Sequence, residues 1–152
     1  MMFGPRGEQL PGAILFCCNH NSVRSPMLLG LARQLYRKNV FLDACGVHHG
    51  VIDPMMMETL SEIGAPLHDY APKTFQDIDP NMFDLVITLT PEAHHQAIEL
   101  THYTALDIEY WPTEDPTVYE GSRERRLDAY RSVRDHLLKR LQARFPAATS
   151  RF

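Results

Sequence analysis

Long apolar stretches are missing from this 152-residue chain. The longest uninterrupted apolar run, Ala13–Cys18, is far too short to span a bilayer, so no membrane partner is expected. The N-terminus carries Arg6 and Glu8 and lacks the apolar segment of a secretory signal. Cysteine is scarce too. Three residues, two of them adjacent, cannot build a secreted disulfide framework and point to a reducing, cytoplasmic setting. No charge of one sign dominates, since 15 Lys and Arg oppose 19 Asp and Glu for a net charge of −4. Basic residues without interleaved aromatics in an acidic chain argue against a nucleic-acid partner. The eight histidines include two adjacent pairs, His48-His49 and His94-His95, but neighbours on a helix do not share a face and no zinc-type spacing occurs, so no metal and no cofactor is expected.

What is present is ordinary globular composition, 44% hydrophobic and 22% charged, which excludes disorder. The length favours one domain with its own core. Residues 1–12, rich in Gly and Pro and without periodicity, read as a flexible tail, leaving 13–152 as a single domain. Charge is unevenly spread: residues 1–42 carry +4, residues 43–120 carry −14 and residues 121–152 carry +6.

Short apolar runs alternate with helical patterns. Residues 13–18 (AILFCC), 40–44 (VFLDA), 85–89 (LVITL) and 106–110 (LDIEY) read as buried strands. Helices are predicted over residues 26–38 with Pro26 first, over 54–63 capped by Asp53, and over 91–100 capped by Thr90. The last helix is marked by Leu127, Tyr130, Val133, Leu137, Leu138, Leu141 and Phe145 at three- and four-residue spacing. Such alternation predicts an α/β domain: a four-stranded parallel sheet, order 2-1-3-4, with helices on both faces. Residues 73–83 read as a loop.

Ligands in such sheets bind beyond the carboxyl ends of the strands. There the sequence reads Cys18-Asn19-His20-Asn21-Ser22-Val23-Arg24-Ser25, a Cys, five residues, then Arg and Ser, at a strand–loop–helix junction. Amides converging at a helix N-terminus make an anion cradle. Arg24 supplies a planar fork for two oxygens of a phosphate-like ligand. The same field stabilises a thiolate at Cys18, to which Ser25 can donate a hydrogen bond. Asn21 tolerates a positive φ and can tie neighbouring amides together. Transfer of a phosphoryl group from an alcohol or phenol also needs a proton for the leaving oxygen, and the WPTEDP segment after the fourth strand offers both Glu114 and Asp115.

The string ILFCCNHNSVRSPM resembles the N-terminal signature of the low-molecular-weight protein tyrosine phosphatases and the related thioredoxin-coupled arsenate reductases. DACG (Asp43 to Gly46), FDLVITLTPEAH (Phe83 to His94), WPTEDP (Trp111 to Pro116) and the terminal RLDAYRSVRDHLLKRL are similar to later segments of that family, so the likeness covers residues 13–145. It implies Cys18 as nucleophile, Arg24 as phosphate clamp, Asn21 and Ser25 as loop organisers and Asp115, rather than Glu114, as general acid. Asn19, His20, Asn21, Ser22, Val23 and Ser25 would surround the substrate's oxyanion. The expected activity is hydrolysis of phosphomonoesters, of phosphorylated protein or of a small aryl phosphate, through a cysteinyl-phosphate.

Departures from the family pattern set alternatives. Val23 stands where many members have a second Cys, His20 where Gly is common, and Thr117 and Val118 where phosphotyrosine-preferring members have aromatics. TLTPEAHH contains none of the thiols that a relay-type arsenate reductase needs, so reduction of arsenate would require an external thiol or glutaredoxin. A third reading is a non-catalytic anion-binding module. Cys17, pointing away from Cys18 by strand alternation, and Cys45 are expected to be packing residues.

Overall fold

The computed structural model describes residues 2–3 and 9–146. The core sheet has four parallel strands, β1 (Ala13–Cys18), β2 (Phe41–Gly46), β3 (Leu85–Thr88) and β4 (Asp107–Tyr110), in the spatial order β2-β1-β3-β4. Register places Cys17 opposite Cys45 and Cys18 opposite Gly46 on one side, and Cys17 opposite Thr88 on the other. All six residues of β1 are buried, as a central strand covered on both faces requires. Upstream, Met2–Phe3 pairs antiparallel with Gln9–Leu10; the rest of the expected N-terminal tail through residue 8 lies outside the described residues.

The connecting helices are α1 (Arg24–Tyr36), α2 (Pro54–Ser61), α3 (Pro91–Leu100) and α4 (Arg123–Arg144). On one face of the sheet, Ile14, Phe16 and Cys18 pack with Leu28, Leu31, Met56, Leu60, Tyr130, Leu137 and Leu141 of α1, α2 and α4. On the other, Ala13, Leu15, Cys17 and Cys45 pack with Phe75, Phe83, Val86 and with Ala93 and Ala97 of α3. The spacing of Leu127, Tyr130, Val133, Leu137 and Leu141 thus buries one stripe of α4, and Arg134 joins it by donating to the Thr59 carbonyl (2.8 Å) and to Glu62 (2.9 Å).

Caps fall where the sequence places them: Asp53 accepts from the Met55 and Met56 amides, and Thr90 from that of Ala93. The first helix differs from expectation. It begins at Arg24, so Pro26 is its third residue, not its first. The change is tolerated because amides of the first turn have no intrahelical acceptor, and the first such bond runs from the Met27 amide to the Val23 carbonyl at 2.9 Å. The loop over residues 73–83 contains two short 3₁₀ turns, Phe75–Asp77 and Pro80–Met82, which allow Phe75 and Phe83 to be buried.

Candidate active site

The Cys18–Ser25 segment bridges the end of β1 and the first turn of α1. Three of its carbonyls are engaged by the neighbouring chain. Those of Cys18, Asn19 and Ser22 accept from the amides of Val47 (3.1 Å), His48 (2.7 Å) and Asp53 (3.2 Å), all on the segment that follows β2. The amides of residues 19–23 donate to no acceptor among the described residues. A loop whose carbonyls are occupied and whose amides are free has the polarity of an anion receptor. Asn21, fully buried at φ 57°, makes the turn possible. Two glycines permit the close approach of the neighbouring chain: a Cβ on Gly46 would lie 2.7 Å from the Asn21 nitrogen, and one on Gly50 would lie 2.3 Å from the His20 oxygen.

Cys18 is buried, with its sulfur 2.9 Å from Ser25 Oγ. Asn21 Nδ2 donates to the same oxygen at 2.8 Å. Val23, also buried, turns into the core, while His20 is exposed at the rim with its ring 5.5 Å from that of His48, which bonds Glu92 at 2.8 Å. Arg24 Nη1 donates to the Thr113 carbonyl at 3.0 Å, and among the described residues no carboxylate pairs with Arg24.

The Thr113 contact also brings the segment carrying Asp115 to the loop. Asp115 Oδ1 accepts from the amide (2.9 Å) and hydroxyl (2.7 Å) of Thr117, capping the Pro116–Val118 turn. Glu114 is engaged elsewhere, as acceptor of the Tyr119 hydroxyl. Tyr130 of α4 donates to Asp53 Oδ2 at 2.6 Å, and the Asp53 amide donates in turn to the Ser22 carbonyl of the loop. Cys18, Asn19, Asn21, Ser22, Arg24 and Ser25 thus lie on one loop with His20 exposed on it, and Asp115 lies two residues beyond Thr113, the acceptor of Arg24.

Three contributors were not visible in the sequence reading. Thr90 donates to Asn19 Oδ1 (2.6 Å), Thr113 receives Arg24, and Tyr70 donates to Asn21. Their separations of 71, 89 and 49 residues from their partners leave no local signal. The other two thiols lie apart from the loop chemistry: Cys17 and Cys45 face each other at 3.6 Å on the opposite side of the sheet. Burial pushes the Cys17 thiol well above its ordinary value, and the neighbouring Cys45 adds to the rise. Among the described residues no three His, Cys, Asp or Glu side chains gather to hold a metal ion, and no helix is long and apolar enough to cross a membrane.

The pattern of the low molecular weight phosphotyrosine protein phosphatase family matches residues 13–149. The chain is 26% identical over 129 residues to the arsenate reductase of Bacillus subtilis, covering 85% of this chain and 91% of that one. It is 25% identical over 136 residues to the glutaredoxin arsenate reductase of a Synechocystis species, covering 85% and 92%. The fold superposes on the Erwinia amylovora tyrosine phosphatase AmsI with a TM-score of 0.71 at 17% identity, over 88% of this chain and 90% of the other. It superposes on the Escherichia coli K30 tyrosine phosphatase Wzb, solved in complex with sulphate, with a TM-score of 0.70 at 19% identity, over 89% and 99%.

Proposed function

The chain belongs to the low molecular weight phosphotyrosine protein phosphatase family, and from that premise we propose that it hydrolyses phosphomonoesters, of phosphorylated protein or of a small aryl phosphate, in the cytoplasm. The observation that carries this reading is the polarity of the Cys18–Ser25 loop: among the described residues its amides at 19–23 are free, three of its carbonyls are occupied, and no carboxylate pairs with Arg24. Cys18 attacks phosphorus in line while the amides and Arg24 hold the equatorial oxygens, whose charge is spread in the transition state. Asp115 gives its proton to the leaving oxygen; the P–O bond breaks and the phosphoryl group stays on sulfur. The carboxylate so formed then takes a proton from water, which attacks phosphorus, releases inorganic phosphate and restores the Cys18 thiolate.

Reduction of arsenate is the second reading, favoured by the names of the sequence relatives. A tetrahedral oxyanion of the same charge suits the same loop. The partner thiol would have to come from outside, because Cys17 and Cys45 face away across the sheet. One side-by-side assay of the reduced protein decides: release of p-nitrophenol from its phosphate and of phosphate from a phosphotyrosine peptide, against arsenate-dependent oxidation of glutathione or glutaredoxin. Hydrolysis lost in Cys18→Ser and slowed about 10²-fold or more in Asp115→Asn supports the phosphatase. Arsenate-dependent thiol oxidation without hydrolysis transfers the site to the second reading, and turnover of neither leaves an anion-binding module.

A further inference from the structure

The hydrogen bonds behind the loop run in one direction, and a backbone group sets it. The Lys73 amide can only donate, and it donates to Asn21 Oδ1 at 3.0 Å. That identifies the other end of the carboxamide as Nδ2, the group 2.8 Å from Ser25 Oγ. Having accepted this bond, Ser25 has one proton to place. Cys18 Sγ lies at 2.9 Å, and the competing Cys45 carbonyl is farther, at 3.4 Å. A hydroxyl proton aimed at sulfur favours thiolate over thiol.

Tyr70 closes the outer end of this chain. Its hydroxyl has one proton and two acceptors within reach, and of these Asn21 Oδ1 is nearer than the Ala44 carbonyl at 2.8 Å, so the proton is placed on Asn21. Burial pushes this phenol well above its ordinary value, so it remains protonated at any working pH. The segment bearing both donors is pinned to the edge of the sheet. Lys73 Nζ pairs with Asp43 at 2.8 Å and lies 4.9 Å over the Tyr70 ring, and the Gly46 amide donates to the Lys73 carbonyl at 2.9 Å.

We propose that Tyr70 and the Lys73 amide are positioning groups for the Cys18 thiolate: by saturating Asn21 Oδ1 they keep the carboxamide N–H on Ser25, which commits the Ser25 proton to sulfur. The inference rests on Cys18 being the nucleophile, but it can be read without turnover. The experiment is alkylation of the full chain by iodoacetamide across pH, followed at Cys18 by peptide mass spectrometry. Wild type is compared with Tyr70→Phe, Ser25→Ala and the double variant, and thermal melts confirm that each is folded. Tyr70→Phe is expected to slow alkylation about five- to tenfold near pH 6 and about twofold or less near pH 9. In the Ser25→Ala background the same substitution should add less than about twofold, because the chain it acts through is already cut.

A wild-type pH profile in folded Tyr70→Phe overturns the proposal, as does an equal loss in both backgrounds, which would make Tyr70 a packing residue. If Tyr70→Phe does not fold, Asn21→Gly keeps the positive-φ backbone and removes the carboxamide. It must show the same loss at low pH, and wild-type alkylation there also overturns the proposal. Loss of hydrolysis with the alkylation pattern intact would count against the phosphatase reading and not against this one.

Discussion

Cys17 and Cys18 are adjacent in sequence, both almost fully buried, and chemically unlike. Cys17 faces an apolar layer with Cys45 as its polar neighbour, where ionisation is resisted by burial and by a second thiol. Cys18 ends the strand on the opposite face and meets the hydroxyl of Ser25 beside a loop of free amides. On the proposed reading, a thiol's reactivity is decided by which face of the strand it occupies and by whether the backbone beyond it remains paired. Cys17 is paired on both sides, with Cys45 and Thr88, whereas Cys18 is the last residue of the strand and is paired with Gly46 on one side.

The largest test of this contrast is to remove each sulfur in turn. Cys18→Ser should lower hydrolysis of p-nitrophenyl phosphate by at least about 10³-fold, since the oxygen is a far weaker nucleophile and leaving group. Cys17→Ala should change it by less than about twofold, while costing about 1–2 kcal/mol of stability in urea through the cavity left in the apolar layer. Comparable losses of activity in both would erase the distinction between the faces.

A smaller effect should follow from disturbing the loop without touching either sulfur. In Gly46→Ala a methyl would sit 2.7 Å from the Asn21 nitrogen and 2.8 Å from the His20 carbonyl carbon, so the backbone of the loop must shift. Misplacement of that kind is expected to cost about 10²-fold in kcat with the fold retained. A fully active Gly46→Ala protein would show that the loop does not depend on this approach.

The smallest effect on the site is expected from the α2–α4 flank. Hydrogen bonding from Arg131, joined by Arg134, holds the Glu62 carboxyl below its ordinary value against the opposing effect of burial. A depressed carboxylate contributes stability above the unfolded-state value and loses it as pH falls through the folded-state one. Thermal melts should therefore show Glu62→Gln less stable than wild type at neutral pH, with the gap closing below about pH 4. Alkylation of Cys18 should be unchanged in this variant. A shift there would mean that reactivity at the loop is not set locally.

Much of this architecture was legible in one dimension. Apolar runs too long for a helix turn and too short for a membrane, separated by capped amphipathic segments, already define a parallel sheet with helices on both faces. Asp53 and Thr90 cap their helices because a short polar side chain before an apolar period has few other roles. The Cys-to-Arg spacing at a strand–helix junction picks out the loop for a similar reason, since its parts are neighbours in sequence. The start of α1 was less legible: Pro is accepted anywhere in a first turn, so Pro26 does not mark the first residue.

Sequence alone, then, determined the order of elements, the loop and the opposite facing of Cys17 and Cys18, because period and spacing are local properties. Tertiary structure decided that Arg24 reaches Thr113, that Glu114 is occupied by Tyr119, that Cys45 lies against Cys17, and that Tyr70 and Lys73 stand behind Asn21. Apart from the short reach between Glu114 and Tyr119, those contacts join residues far apart along the chain. They exist because the parallel sheet brings the carboxyl ends of its strands to one edge, and a hydrogen-bond partner chosen by that convergence leaves no trace in the spacing of either residue.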